Sequence, residues 1–179
     1  MTDQGQTQRV QEVLFRPGTG LVYAVLDGAS ATGLGEALFK HQPTGHCLYP
    51  EPLAPDMALV APYLIQMAQD SPFTRWATEE GWGRHWGVFL TSPEDLRRVR
   101  RHFRDLVTVA GPDGKELFFR FYDPRVLQAY LPTCNPAEIE AVFGPVTSFV
   151  MEGATPQALL RFTRDKGKLL REEMKVALP

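Results

Sequence analysis

Cysteine is scarce: the 179 residues hold only Cys47 and Cys134, without C-x-x-C spacing. That argues against a disulfide framework or a structural zinc site and predicts a buried, reduced pair. Long hydrophobic runs are missing too. No stretch approaches the roughly 18 apolar residues of a membrane span, so no membrane insertion is expected. Net charge is close to balance, with 19 Lys and Arg against 21 Asp and Glu. Such a chain has no strong field to draw nucleic acid or an acidic bilayer. Met1 to Gln11 lacks the basic start, apolar stretch and small-residue cleavage site of a signal peptide. A cytoplasmic location is expected on that ground.

The short motifs of common chemistry are equally absent. Gly28-x-x-x-x-Gly33 is followed by Leu34 and Gly35, which breaks both the phosphate-cradling P-loop and the dinucleotide fingerprint. His46 and Cys47 are neighbours that would face opposite sides of a strand, and His41, His85 and His102 lack i, i+4 partners, so no metal site is predicted. No G-x-S-x-G elbow surrounds Ser30, Ser71, Ser92 or Ser148. Glu79-Glu80 and Glu172-Glu173 read as solvated helix charge. No cofactor is expected, and the chain is read as non-enzymatic.

What is present suits a globular protein: 44% hydrophobic and 22% charged residues, enough for one domain plus a small appendage. After a short helix around Thr7 to Phe15, the continuously apolar Leu21 to Leu26 predicts a central strand covered on both faces. Gly33 to Lys40 reads as a helix; His46 to Tyr49 and Ala61 to Met67 read as strands, with Pro62 at a strand start or sheet edge. Five polar-proline pairs predict helix starts, because the polar side chain caps orphan amides and proline presets φ. They are Ser71-Pro72, Ser92-Pro93, Asp123-Pro124, Asn135-Pro136 and Thr155-Pro156. Asn135 with Glu138 has capping-box spacing. Further strands are expected at Trp86 to Leu90, Leu106 to Val109, Leu117 to Tyr122 and Val146 to Met151, with Gly111-Pro112-Asp113-Gly114 as a hairpin turn.

Interleaved strands and helices predict an α/β domain over residues 1–152, a mixed β-sheet flanked by helices. Residues 153–179 are read as a short C-terminal helical appendage from Pro156 to about Ala177, interrupted by Gly167. Its apolar stripe (Leu159, Phe162, Leu169, Leu170, Met174) has no obvious partner in the chain and suggests a docking face.

Two polar constellations stand out. Leu96, Val99, Phe103 and Leu106 turn one side of a helix inward and leave Arg97, Arg98, Arg100, Arg101 and Arg104 on the outer arc. That arc reads as a solvated face or, alternatively, a docking surface for an acidic protein. With Phe103 turned inward and no aromatic among the arginines of the outer arc, it does not read as a nucleic-acid site. The second is Arg120-Phe121-Tyr122-Asp123-Pro124-Arg125, where a strand feeds a proline-started helix. Asp123 would cap that helix while Arg120 and Arg125 pair carboxylates such as Asp27; a partner-binding role for the same cluster is the alternative.

The chain resembles the type VI secretion adaptors, or effector chaperones, a family long described as a domain of unknown function. The likeness is carried by Tyr23-Ala24-Val25-Leu26-Asp27-Gly28-Ala29, Cys47-Leu48-Tyr49, Ala61-Pro62-Tyr63-Leu64 and Gly81-Trp82-Gly83 with Trp86-Gly87-Val88-Phe89-Leu90. It continues through Leu96-x-x-Val99-x-x-His102-Phe103 and Phe119 to Leu127, ending in Tyr130-Leu131-Pro132. The resemblance implies a cytosolic protein without catalytic activity that binds a VgrG spike protein and a type VI effector, so that the effector is carried outward. Trp82, Trp86, Arg120, Tyr122, Asp123 and Arg125 are the expected partner-binding residues, since aromatic and arginine side chains dominate interface energetics; Trp86 reads equally well as core. Many relatives look longer, with a helical lobe to hold the effector. The rival expectation is a small hydrolase or transferase with a dispersed site around Asp27, Arg120 and Asp123 at the sheet ends.

Overall fold

The structure, a computed structural model, describes residues 4–110 and 113–176. In chain order the elements are α1 (Gln4–Leu14), β1 (Leu21–Asp27), α2 (Leu34–His41), β2 (Gly45–Cys47), α3 (Pro55–Val60), β3 (Pro62–Met67), α4 (Pro72–Gly81) and β4 (Gly87–Ser92). There follow α5 (Leu96–Val107), β5 (Thr108–Ala110), β6 (Glu116–Phe118), α6 (Pro124–Tyr130), a 3₁₀ turn (Leu131–Thr133), α7 (Pro136–Phe143), β7 (Ser148–Glu152), β8 (Ala158–Asp165) and β9 (Lys168–Lys175). Seven strands form one sheet in the order β2-β3-β1-β4-β7-β8-β9, and β5 pairs with β6 apart from it.

The α/β class is as the sequence predicts, and β1 lies inside the sheet, buried from Val22 to Asp27. Alternation explains why both faces need cover. Tyr23 and Val25 join Val88, Leu90, Phe149 and Met151 beneath α5, α6 and α7. Val22, Ala24 and Leu26 join Ile65, Phe89 and Val150 beneath α1, α2 and α4. Every pairing described is antiparallel, so the expected mixed sheet is corrected. Burial on two faces demands helices on both sides, but it does not fix strand direction. The crossover through α4 joins β3 to β4, which run parallel to each other only because β1 lies antiparallel between them.

The second correction concerns the C-terminus. Residues 158–175 are not a helix but the hairpin β8–β9, which extends the sheet through β7. Lys166 and Gly167 both take positive φ, 48° and 75°, and Asp165 pairs with Lys168 across them. Those are the requirements of a two-residue turn matching strand twist. The presumed stripe is divided between the two faces: Leu159 packs beside α1, α2 and α4, and Phe162 packs beside α5, α6 and α7. The face supposed to lack a partner is therefore largely core. Arg164 fastens the hairpin to α7, donating to the carbonyls of Val146 at 2.7 Å and Gly144 at 3.0 Å and pairing with Glu140 at 2.9 Å.

Three of the proline-marked starts cap helices as expected, at Ser71, Asp123 and Asn135, the last with both bonds of a capping box. Ser92 instead ends β4, its hydroxyl accepting from Glu94 N–H, and Asp95 caps α5. Thr155 accepts from Ala158 N–H in the turn before β8. Of the predicted turn, Gly111-Pro112 lies outside the described residues; the flanking β5 and β6 pair as a hairpin, but Leu106 and Val107 belong to α5 and the second strand stops at Phe118, so a turn and not a strand leads into α6. Both cysteines are free and half-buried rather than buried. Burial raises the pKa of each thiol.

Candidate functional site

Asp27 ends β1, and its carboxylate is almost entirely occupied by its neighbours. Oδ1 accepts from Ala29 N–H at 3.0 Å; Oδ2 accepts from the Ser30 hydroxyl at 2.9 Å and from Arg120 Nη2 at 2.6 Å. Asp123 caps α6 through Arg125 N–H and takes a bidentate grip from the Arg125 side chain, at 3.0 and 2.7 Å. Arg120 Nη2 lies 3.9 Å from Asp123, so one guanidinium bridges the carboxylate that ends β1 and the one that caps α6. Both aspartates are buried, while the arginine side chains are 47% and 60% exposed. Burial alone would push the Asp123 carboxyl up, but the hydrogen bonds and charge of Arg125 hold it below its ordinary value. Tyr122 is buried beside them with its hydroxyl 3.5 Å from that of Tyr49, and burial raises its pKa well above normal.

The six residues expected to meet a partner do not form one surface. Trp82 stacks on Phe89 and donates its indole N–H to the Pro156 carbonyl at 2.8 Å; Trp86 packs on Trp76. Both are buried in the core beneath α1, α2 and α4, whereas Tyr122 is buried on the opposite side of the sheet. Only Arg120 and Arg125 keep substantial exposed surface. Beside Arg125 a shallow groove of about 600 Å³ runs along α6, lined by Val126, Ala129, Tyr130 and Thr133.

Sequence reasoning missed Glu152. This buried carboxylate ends β7 with His85 Nδ1 only 2.5 Å from Oε1, and burial raises its pKa while His85 opposes the rise. Its backbone carbonyl accepts from Gln128 on α6. The cavity beside it, among Trp82, Trp86 and Phe89, measures about 10 Å³, room for at most one water. The only sequence signal was an acidic residue at a strand end, which is common. Also missed is a groove of about 440 Å³ between α5 and the segment that follows β2, lined by Leu48, Pro50, Arg97, Arg100, Arg101, Arg104, Asp105 and Thr108. The arginine arc was visible in the sequence; the opposing wall was not.

Among the described residues no group of three His, Cys, Asp or Glu side chains is placed to hold a metal ion, and no helix is long and apolar enough to cross a membrane.

An antiparallel sheet between two helical layers, with a strand-end and a helix-capping carboxylate tied to arginines, defines an α/β protein whose charged cluster is part of its own scaffold. The chain belongs to the family described as "Domain of unknown function (DUF4123)", whose model matches residues 22–141. No curated protein and no solved structure matches it.

Proposed function

We propose that this protein is a non-enzymatic, cytoplasmic adaptor that binds a type VI secretion effector and loads it onto its VgrG spike protein. Membership of the family over residues 22–141 is the observation that carries the reading, through the adaptor resemblance of the same segment. The geometry is in keeping with it. Asp27 and Asp123, the carboxylates a dispersed hydrolase or transferase site would need, are engaged by backbone amides and arginines; Asp123 borders the shallow α6 groove, but both of its oxygens are held by Arg125. A general base needs a free lone pair within reach of substrate. The larger surface features are open grooves on α5 and α6, shapes suited to protein segments and less to an enclosed small molecule.

The test is affinity capture of the tagged chain from its own cytoplasm, with secretion genes expressed. Co-recovery of a spike protein and a toxin-like chain over an untagged control is the expected result. Recovery of neither, from folded protein, would overturn the proposal.

A further inference from the structure

The groove on α5 gathers cations that, among the described residues, have few carboxylates to match. Arg97, Arg101 and Arg104 are exposed and make no ion pair or side-chain hydrogen bond among the described residues. Arg100 reaches Glu51 only at 3.6 Å, through its Nη2. Its Nε is buried without a hydrogen-bond partner in the structure. A buried donor of this kind costs free energy until an acceptor meets it, and it costs most on a charged group. The single acidic residue in the lining is Asp105.

The groove also has an apolar end. Thr108, in its lining, pairs directly with Phe118 across the small β5–β6 sheet, so both side chains project from the same face. Tyr49 lies between Leu48 and Pro50 of the other wall, and its ring packs on Phe118 with centroids 5.2 Å apart. Phe118 is nevertheless 61% exposed, and Leu117 beside it 49%. A line of unpaired guanidinium groups therefore leads to an exposed aromatic.

We infer that the α5 groove docks an extended acidic peptide segment of a protein partner, its carboxylates on Arg97, Arg100, Arg101 and Arg104 and an apolar side chain against Phe118. Arginine forks match carboxylates in geometry as well as charge. Nucleic acid fits the groove less well. Asp105 lies in the lining and Glu51 beside it. Phe103, the aromatic between Arg101 and Arg104, is buried in the core and cannot stack bases. The inference does not rest on the adaptor reading, because it names a surface and a chemistry that any protein partner could supply.

The test is fluorescence anisotropy on the full chain with a labelled peptide rich in Asp and Glu and carrying one Phe. Saturable binding that weakens with salt is expected, with a loss of about tenfold or more in the R97E/R101E/R104E variant. Replacing the peptide Phe, or Phe118→Ala, should weaken binding several-fold without changing the salt dependence. The three arginines are exposed, so the variant should keep its circular dichroism spectrum and melting curve; R101A alone, expected to weaken binding several-fold, provides a milder check. No binding by the folded wild type, undiminished binding by the triple variant, or stronger binding of a single-stranded oligonucleotide of equal charge would each overturn the inference.

Discussion

Two arginine-rich regions of this molecule treat charge in opposite ways. Where β1 ends and α6 begins, Arg120 and Arg125 are matched to Asp27 and Asp123, and the carboxylates they hold also bind backbone amides. On α5, four arginines line one groove, and the only ion pair they make among the described residues is Arg100 with Glu51. The first arrangement determines where a loop and a helix begin, so its charge is committed before any partner arrives. The second contributes little to the fold and remains available. Counting arginines does not separate the two; the burial of their partners does.

The comparison is broken most severely at Asp27. Asp27→Ala removes the acceptor for Ala29, Ser30 and Arg120 together and should cost about 3 kcal/mol in urea unfolding, with the m-value unchanged. Asp123→Ala removes the cap of α6 and should cost about 1 to 2 kcal/mol by the same measurement. Arg125→Ala leaves that cap's backbone bond in place and takes away only an exposed partner, so a loss below about 1 kcal/mol is expected. A loss at Arg125 as large as that at Asp123 would mean the exposed arm carries the cluster. Arg101→Ala should move stability by less than about 0.5 kcal/mol in either direction, the mark of a side chain the fold does not use.

A pH titration sharpens the contrast within α5 itself. His102 faces inward from the arginine helix, with Nε2 2.9 Å from the Val142 carbonyl, and burial depresses its pKa although that bond opposes the effect. The folded state thus resists protonating His102 more than the unfolded chain does. Its contribution to stability is full above the ordinary imidazole value of about 6.5 and is lost as pH falls from there through the depressed folded value. His102→Gln should flatten that part of the profile of unfolding free energy against pH. An unchanged slope would assign the loss to other groups.

Much of the scaffold is legible in the sequence because local chemistry and global packing agree there. The run from Val22 to Leu26 is apolar on both faces because both faces are covered. Asn135 and Glu138 form the box their spacing predicts. The C-terminal hairpin is misread for a physical reason. Leu159 and Phe162 are three apart, so two residues on opposite faces of a strand look like one face of a helix. The turn is Lys-Gly, a weaker hairpin signal than Asn-Gly or Asp-Gly, and a proline after Thr155 imitates a helix start. Of the candidate site, the pairing of Arg120 with Asp27 and the cap at Asp123 are foreseen. The burial of Trp82 is not, and that of Trp86 is left open between core and interface, because exposure depends on what packs from distant parts of the chain.

The hairpin that completes the sheet also decides how the protein can be cut. The family match stops at residue 141, inside α7, with β7, β8 and β9 still to come. A fragment trimmed to the match would bare the edge of β4 that β7 covers and remove Phe149, Met151, Leu160 and Phe162 from the core. A flat, apolar, unpaired strand of that kind recruits other chains, so such a fragment should express as aggregate. The full chain closes the same side with β9, an edge strand carrying Lys168, Arg171, Glu172, Glu173 and Lys175, charges that discourage a further strand from joining.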